Sequence, residues 1–160
     1  MNDIGVAGGT DSRQNPLTAR QVALIRASWL RVQPIADLAA ALFYRRLFEL
    51  NPRLAALFPQ DTTEQGRKLM ATLGVVVARL DRLGDVVPAV EQLGRRHVAY
   101  GVEDAHYDIV GSALLDTLRV ALGDDLGPEA EAAWGAAYGT LAAVMQRAAS
   151  DTRSLTTVLV

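Results

Sequence analysis

The sequence predicts an all-α domain. From Thr18 onward apolar residues recur at the spacing of one helix face, and β-branched residues are scattered instead of alternating. Half of the 160 residues are hydrophobic and 21% are charged, which is typical of a globular protein. A chain of this length buries about 69% of its unfolded surface. We therefore expect one domain with its own hydrophobic core.

Local signals predict where the first two helices begin and end. Thr18 and Gln21 form a capping-box pattern at the start of the first helix, and Pro34 ends it. The second helix runs from about Ala36 to Leu50. The pair Asn51-Pro52 ends this helix and opens a short helical turn.

The third predicted helix, Thr63 to Leu80, has two apolar sides. One side carries Gln65, Leu69, Thr72 and Val76, and the other carries Met70, Leu73, Val77 and Leu80. Such a helix is expected to lie between two partners. After a break at Gly84-Asp85, a shorter helix begins near Pro88 and ends before Gly101.

Two long helices complete the predicted domain, from about Asp104 to Leu122 and from Pro128 to about Ala149. The segments outside residues 17–149 are polar or rich in small residues. We expect residues 1–16 to form a flexible arm and residues 150–160 a frayed tail.

Composition excludes several classes of function. The chain has no cysteine, which rules out thiolate catalysis and Cys-ligated zinc or iron–sulfur sites. Its net charge of −2 lacks the basic excess that nucleic-acid binding requires. No uncharged span reaches the roughly 18 to 20 apolar residues of a membrane helix, and the N-terminus has no signal-peptide pattern. We expect a cytoplasmic protein with neither a nucleic-acid nor a membrane partner.

His97 and His106 are the only imidazoles of the chain. His97 shares the apolar face of the shorter helix with Val90 and Leu93. A buried imidazole requires either a hydrogen bond or a metal ion, and a satisfied core histidine is the more common case. His106, at the start of the next helix, is expected to be an exposed side chain without a functional role.

Haem is a better match for a single imidazole than a bare metal ion. Zinc takes four ligands, whereas a porphyrin fills the four equatorial positions of iron itself. Phe58, Leu69 and Val76 are candidates for an apolar wall. Tyr44 and Gln65 are candidate hydrogen-bond donors. Taken singly, these residues also fit a core hydrophobe, a packing aromatic or a solvated helix residue.

Four segments of the chain resemble the globin family, specifically the bacterial single-domain globins that are similar to the haem domain of flavohaemoglobins. The segments are FYRRLFELNPRLAALF (43–58), EQGRKLMATLG (64–74), AVEQLGRRHVAYGVEDAHYDIVG (89–111) and AWGAAYGTLAAVM (133–145). The resemblance covers about residues 17–149. It implies a globin fold, a helical sandwich around a pocket for haem b (iron protoporphyrin IX).

The resemblance also implies roles for single residues. His97 is similar to the family's proximal iron ligand, and Phe58 to the phenylalanine that packs on the haem. Tyr44 and Gln65 resemble the distal polar pair. Leu69 is similar to the apolar residue over the iron.

The chain departs from the flavohaemoglobin pattern in two ways. Tyr107 matches the family's proximal tyrosine, but Ala149 stands where the family has a glutamate. A carboxylate there raises the basicity of a metal-bound imidazole, so its absence favours an oxygen binder. The chain also ends where the family's flavin and nicotinamide domains begin, so electrons are expected to come from an external reductase.

Two functions remain open. The first is reversible binding of O₂ at ferrous haem, for oxygen storage or transport, with CO and NO as further ligands. The second is oxidation of nitric oxide to nitrate, a detoxifying dioxygenase activity that needs a separate reductase. Gas sensing is a third, less favoured function because no output domain is apparent. The sequence does not indicate an oligomeric state.

Overall fold

The structure, a computed structural model, describes residues 15–158. Within that range it contains no β-strand, and no helix has both the length and the apolar character needed to cross a membrane. The α-helices are α1 (Ala19–Val32), α2 (Ala36–Leu50), α3 (Thr63–Ala78), α4 (Val87–Ala99), α5 (Asp104–Leu122) and α6 (Gly127–Val158). Short 3-10 helices cover Gln33–Ile35, Pro52–Leu57, Leu80–Asp85 and Gly123–Asp125. The predicted all-α class is confirmed, whereas residues 1–14 of the predicted arm lie outside the described range.

Two of the predicted helix-end signals, at Thr18 and Gly101, are present in the structure. The Gln21 N–H donates to Thr18 Oγ1 at 3.1 Å, and the Thr18 N–H donates to Gln21 Oε1 at 2.9 Å, which completes the capping box of α1. After α4 the chain turns at Gly101, whose φ of 86° lies in the left-handed region that favours glycine.

α6 is longer than predicted. We expected it to end at about Ala149 and the tail to fray, but the helix continues through Val158. Thr152 Oγ1 donates to the Ala148 carbonyl at 3.0 Å, so this polar residue is accommodated inside the helix. The guanidinium of Arg153 contacts the turn between α4 and α5, which ties the extension to the rest of the fold.

The larger hydrophobic cluster is centred on α1, α5 and α6. The indoles of Trp29 and Trp134 lie with ring centroids 6.3 Å apart beside the fully buried Ile25. Trp134 Nε1–H donates to Ser28 Oγ at 2.8 Å, so the buried indole donor is satisfied. Burial of these rings gives the cluster much of its stabilising apolar area.

A second cluster lies between α2, α5 and the 3-10 turn after α2. It contains Phe43, Tyr44, Leu47, Leu54 and Ala113, with Phe58 and Leu69 packed against it. α3 contributes Met70 and Leu73 to the larger cluster and Leu69 to the second one, so its two sides do meet different clusters. Val76, predicted on the side of Leu69, packs instead against the larger cluster. Thr72, predicted on one of those sides, is exposed.

α3 and α4 are held by different neighbours. α4 packs along α6, whereas α3 packs against α2 and α1. Gly66 allows the contact between α3 and α2, because a Cβ there would lie 2.9 Å from the Cβ of Ala40. The half-buried residues Leu69 and Val76 of α3, and Leu93 and His97 of α4, therefore lie on separately supported helices.

Candidate functional site

His97 lies near the C-terminal end of α4 and is half-buried. Its Nδ1 is 2.7 Å from the carbonyl oxygen of Leu93. A carbonyl only accepts hydrogen bonds, so Nδ1 carries the proton and Nε2 carries the lone pair. Burial lowers the pKa of His97, with the hydrogen bond to Leu93 acting in the opposite direction. The ring is therefore neutral at pH 7 and suited to bind a metal through Nε2.

Tyr107 lies beside His97. The two rings are stacked with centroids 6.5 Å apart and an interplanar angle of 28°. The Tyr107 hydroxyl is buried and has no hydrogen-bond partner among the described residues. Burial raises the pKa of Tyr107, so the hydroxyl is protonated at neutral pH. Ala149, where the resemblance places a glutamate, is 1% exposed, and its methyl side chain can neither donate nor accept a hydrogen bond.

Tyr44 forms the centre of an aromatic group. Its ring centroid lies 5.1 Å from that of Phe43, 6.1 Å from that of Phe48 and 5.5 Å from that of Phe58. Tyr44 is 4% exposed, and burial raises its pKa to about 12. The phenol therefore stays protonated at neutral pH and remains a hydrogen-bond donor.

The start of α3 lies against Tyr44. A Cβ at Gly66 would be 3.8 Å from Cε2 of Tyr44. Gln65 precedes this glycine, is half-buried and lies one turn before Leu69 on the same helix face. The structure thus brings Tyr44, Phe58 and Leu69 into one cluster with Gln65 at its edge, and no hydrogen bond between Gln65 and Tyr44 is present.

α5 connects the surroundings of His97 with those of Tyr44. It begins near Tyr107 and continues to Ile109 and Val110, which pack against the cluster that contains Tyr44. At the turn before α5, a Cβ on Gly101 would lie 3.5 Å from Cδ2 of Leu57, the neighbour of Phe58. The segments that carry the candidate residues are therefore connected, through α5 and through the contact of the α4–α5 turn with the segment around Phe58.

The donor set of this region fits haem better than a bare metal ion. Haem requires one neutral imidazole, an apolar wall and a hydrogen-bond donor, and these are the groups of His97, Leu69 and Tyr44. A bare ion requires several ligands, and residues 15–158 contain no group of three or more His, Asp or Glu side chains placed to hold one.

Two other features of the structure do not belong to the candidate haem site. His106, expected to be exposed, is instead half-buried, because its Nδ1 accepts the Glu103 N–H at 3.0 Å in the α5 capping box, which is a structural role. A groove of about 440 Å³ between α2 and α5 contains no candidate residue. Its charged side chains pair with each other, as Arg46 and Asp116 do at 2.8 Å.

Arg153 was missed by the sequence reasoning. Its side chain reaches the α4–α5 turn behind His97, but residues 150–160 were expected to form a tail. Arg153 lies four residues after Ala149, and residues four apart share a helix face. This spacing could have indicated that the two residues belong to one face of a longer α6.

The globin family model matches residues 41–145 of the chain. The flavohemoprotein of Bacillus subtilis (strain 168) is 31% identical over 129 residues, which are 79% of this chain and 32% of that protein. The chain spans about a third of the length of the curated relatives it matches.

Two solved structures share the fold. A bacterial globin from Campylobacter jejuni has a TM-score of 0.76 at 23% identity, covering 86% of this chain and 99% of that one. An engineered carbene transferase, from a protein of Rhodothermus marinus suggested to be a nitric oxide dioxygenase, has a TM-score of 0.75 at 27% identity, covering 89% and 98%. With the family model matching most of its length, this chain belongs to the globin family.

Proposed function

We propose that this chain binds haem b through Nε2 of His97 and binds O₂ reversibly. The observation that carries the proposal is the His97 ring, which is neutral and has Nδ1 directed at the Leu93 carbonyl, so that Nε2 is available to iron. Membership of the globin family supports the choice of haem over any other group.

The chain's own residues have separate tasks in this proposal. Ferrous haem, when bound, would supply the iron that takes up O₂, CO or NO. His97 would hold the iron, and Tyr107, whose ring stacks on the imidazole, would support it. Phe58 and Leu69 would exclude water from the side of the haem on which the gas binds. Tyr44 donates a hydrogen bond to a ligand that draws negative charge, and Gln65 provides a second donor.

The surroundings of His97, called the proximal side, favour reversible O₂ binding over oxidation chemistry. A carboxylate hydrogen-bonded behind a metal-bound imidazole increases electron donation to the metal. Ala149 supplies no carboxylate, and the Tyr107 hydroxyl has no partner among residues 15–158. His97 instead donates to a neutral carbonyl, which is a weaker electron-donating arrangement.

Nitric oxide dioxygenation is the second candidate. It is favoured by the similarity to flavohemoproteins and to the Rhodothermus marinus protein. In this reaction one NO, one O₂ and one electron give one nitrate, so sustained turnover requires an external reductase.

A haemin titration of the full chain tests the proposal. We expect one haemin per chain, a Soret band that shifts when CO is added to the reduced protein, and a different, reversible shift with O₂. Failure to take up haemin would reject a haem function altogether.

Nitric oxide separates the two functions. NO is added to the oxygenated protein in the presence of a flavin-dependent reductase and NADH, and nitrate is measured over many equivalents. An oxygen binder gives one equivalent of nitrate per haem followed by slow recovery. Continuous nitrate formation limited by the reductase concentration would favour the dioxygenase.

A further inference from the structure

The side chain of Arg153 links the end of α6 to the turn behind His97. Its Nη2 donates to the Val102 carbonyl at 3.0 Å, and its Nη1 lies 3.4 Å from Oδ1 of Asp104. The Val102 N–H in turn donates to the His97 carbonyl at 3.0 Å. Arg153 is therefore two hydrogen bonds away from the main chain of His97.

Arg153 also lies near Tyr107, whose ring stacks on His97. The two residues that its guanidinium contacts, Val102 and Asp104, lie five and three residues before Tyr107. The Arg153 side chain is 38% exposed and that of Asp104 is 64% exposed, so water screens the carboxylate more than the guanidinium. The guanidinium is therefore the less hydrated of the two paired charges, and it lies on α6, the helix that packs along α4.

We propose that Arg153 is a positioning residue of the proximal side, which holds the α4–α5 turn behind His97 and places a positive charge one helical turn after Ala149. The inference rests on the proposed function, because the charge acts on an iron bound to His97. A positive charge near the iron stabilises the ferrous form relative to the ferric form, since the ferrous form has one electron more. This direction agrees with reversible binding of O₂, which requires ferrous iron.

Two variants separate charge from position. Arg153→Gln removes the charge, and Arg153→Lys keeps it while losing the planar fork of donors. Arg147→Gln is the matched control, because Arg147 is an exposed arginine of the same helix that donates to the Ala143 carbonyl within α6. Each full-length variant is loaded with haemin, and its reduction potential is measured by spectroelectrochemistry.

We expect the ratio of ferrous to ferric haem at a fixed potential to fall about three- to tenfold in Arg153→Gln. A tenfold change corresponds to about 59 mV for a one-electron couple. Arg153→Lys should remain within about twofold of the unmodified protein, as should Arg147→Gln. An unchanged potential in Arg153→Gln, or equal shifts in the Gln and Lys variants, would overturn the electrostatic role.

A second measurement needs no haem. In the protein without haemin, hydrogen exchange of the Val102 amide should become at least about fivefold faster in Arg153→Ala, because the turn loses its link to α6. Unchanged exchange would overturn the positioning role. If the unmodified chain takes up no haemin, the proposed function and the electrostatic role are both rejected, while Val102 exchange still decides whether Arg153 holds the turn.

Discussion

Gly94 of α4 lies directly against the main chain of Met145 in α6. A Cβ at Gly94 would be 2.5 Å from the Met145 carbonyl oxygen and 2.8 Å from its Cα. Only glycine permits this approach, because the obstructing atoms belong to the main chain and a change of rotamer cannot move them. His97 follows three residues later on α4, so its position depends on how closely α4 approaches α6.

Gly94→Ala should destabilise the protein by roughly 1 to 3 kcal/mol, because the methyl group forces the two helices apart. Urea unfolding of the haemin-free protein measures this change. Gly139→Ala on α6 is the control, since a Cβ there meets no atom within 4 Å. It should stabilise the helix by about 0.5 to 1 kcal/mol. Equal effects of the two substitutions would contradict the close contact.

His97→Ala should abolish most haem retention, because it removes the proposed axial ligand. Free imidazole added to the variant should restore the Soret band, as it can occupy the space left by the side chain. Gel filtration followed by an absorbance spectrum measures retention. The control is His106→Ala, which removes the other imidazole and should keep its haem. If His97→Ala retained its haem, the iron ligand would have to be another residue.

Tyr44→Phe should speed O₂ release roughly 10- to 100-fold. A hydrogen bond from the phenol to a partly negative ligand contributes roughly 1.5 to 3 kcal/mol, and about 1.4 kcal/mol is tenfold in rate. CO draws much less charge, so its release should change far less. Stopped-flow displacement measures both rates. Equal acceleration for the two gases would mean that Tyr44 acts by steric contact.

Gln65→Leu should change O₂ release in the same direction as Tyr44→Phe but by a smaller factor. Gln65 is half-buried, so water competes for its amide, whereas Tyr44 is almost fully buried. The same stopped-flow measurement compares the two variants. A larger effect at Gln65 would assign it the main hydrogen bond.

The stability difference between the protein and Tyr44→Phe should depend on pH only in alkaline solution. The pKa of Tyr44 is raised to about 12 in the folded state, whereas an unfolded tyrosine ionises near pH 10. The contribution of the tyrosine is thus fully present below about pH 10 and is lost as the pH rises through about 12, up to roughly 2 to 3 kcal/mol. Urea midpoints of the two haemin-free proteins from pH 7 to 11 measure this difference. A dependence that begins near pH 8 would indicate a much lower pKa.

Tyr107→Phe should leave the stability unchanged or increase it by up to about 1 kcal/mol, because the lost hydroxyl is buried without a partner. Tyr138→Phe should instead destabilise by about 1 kcal/mol, since the Tyr138 hydroxyl donates to the Tyr107 carbonyl. Thermal or urea unfolding compares the two variants. A marked loss of stability in Tyr107→Phe would show that its hydroxyl has a partner, such as an ordered water.

The clustering of several candidate residues was predictable from residue type and spacing. His97 was recognisable as the imidazole on an apolar helix face, and Tyr44, Phe58 and Leu69 do occupy one cluster. The half-buried position of Gln65 and the unpaired hydroxyl of Tyr107 were not predictable, because both depend on which helices surround them.

The sequence by itself determined the all-α class and most helix boundaries, because capping and periodicity are interactions between residues at most four positions apart. Thr18 with Gln21, and the turn at Gly101, are examples. The tertiary structure decided the length of α6 and the position of α4. Arg153 meets Val102 across 51 positions, and Gly94 meets Met145 across a similar separation. Such contacts form only when the helices have packed, so no local pattern along the chain encodes them.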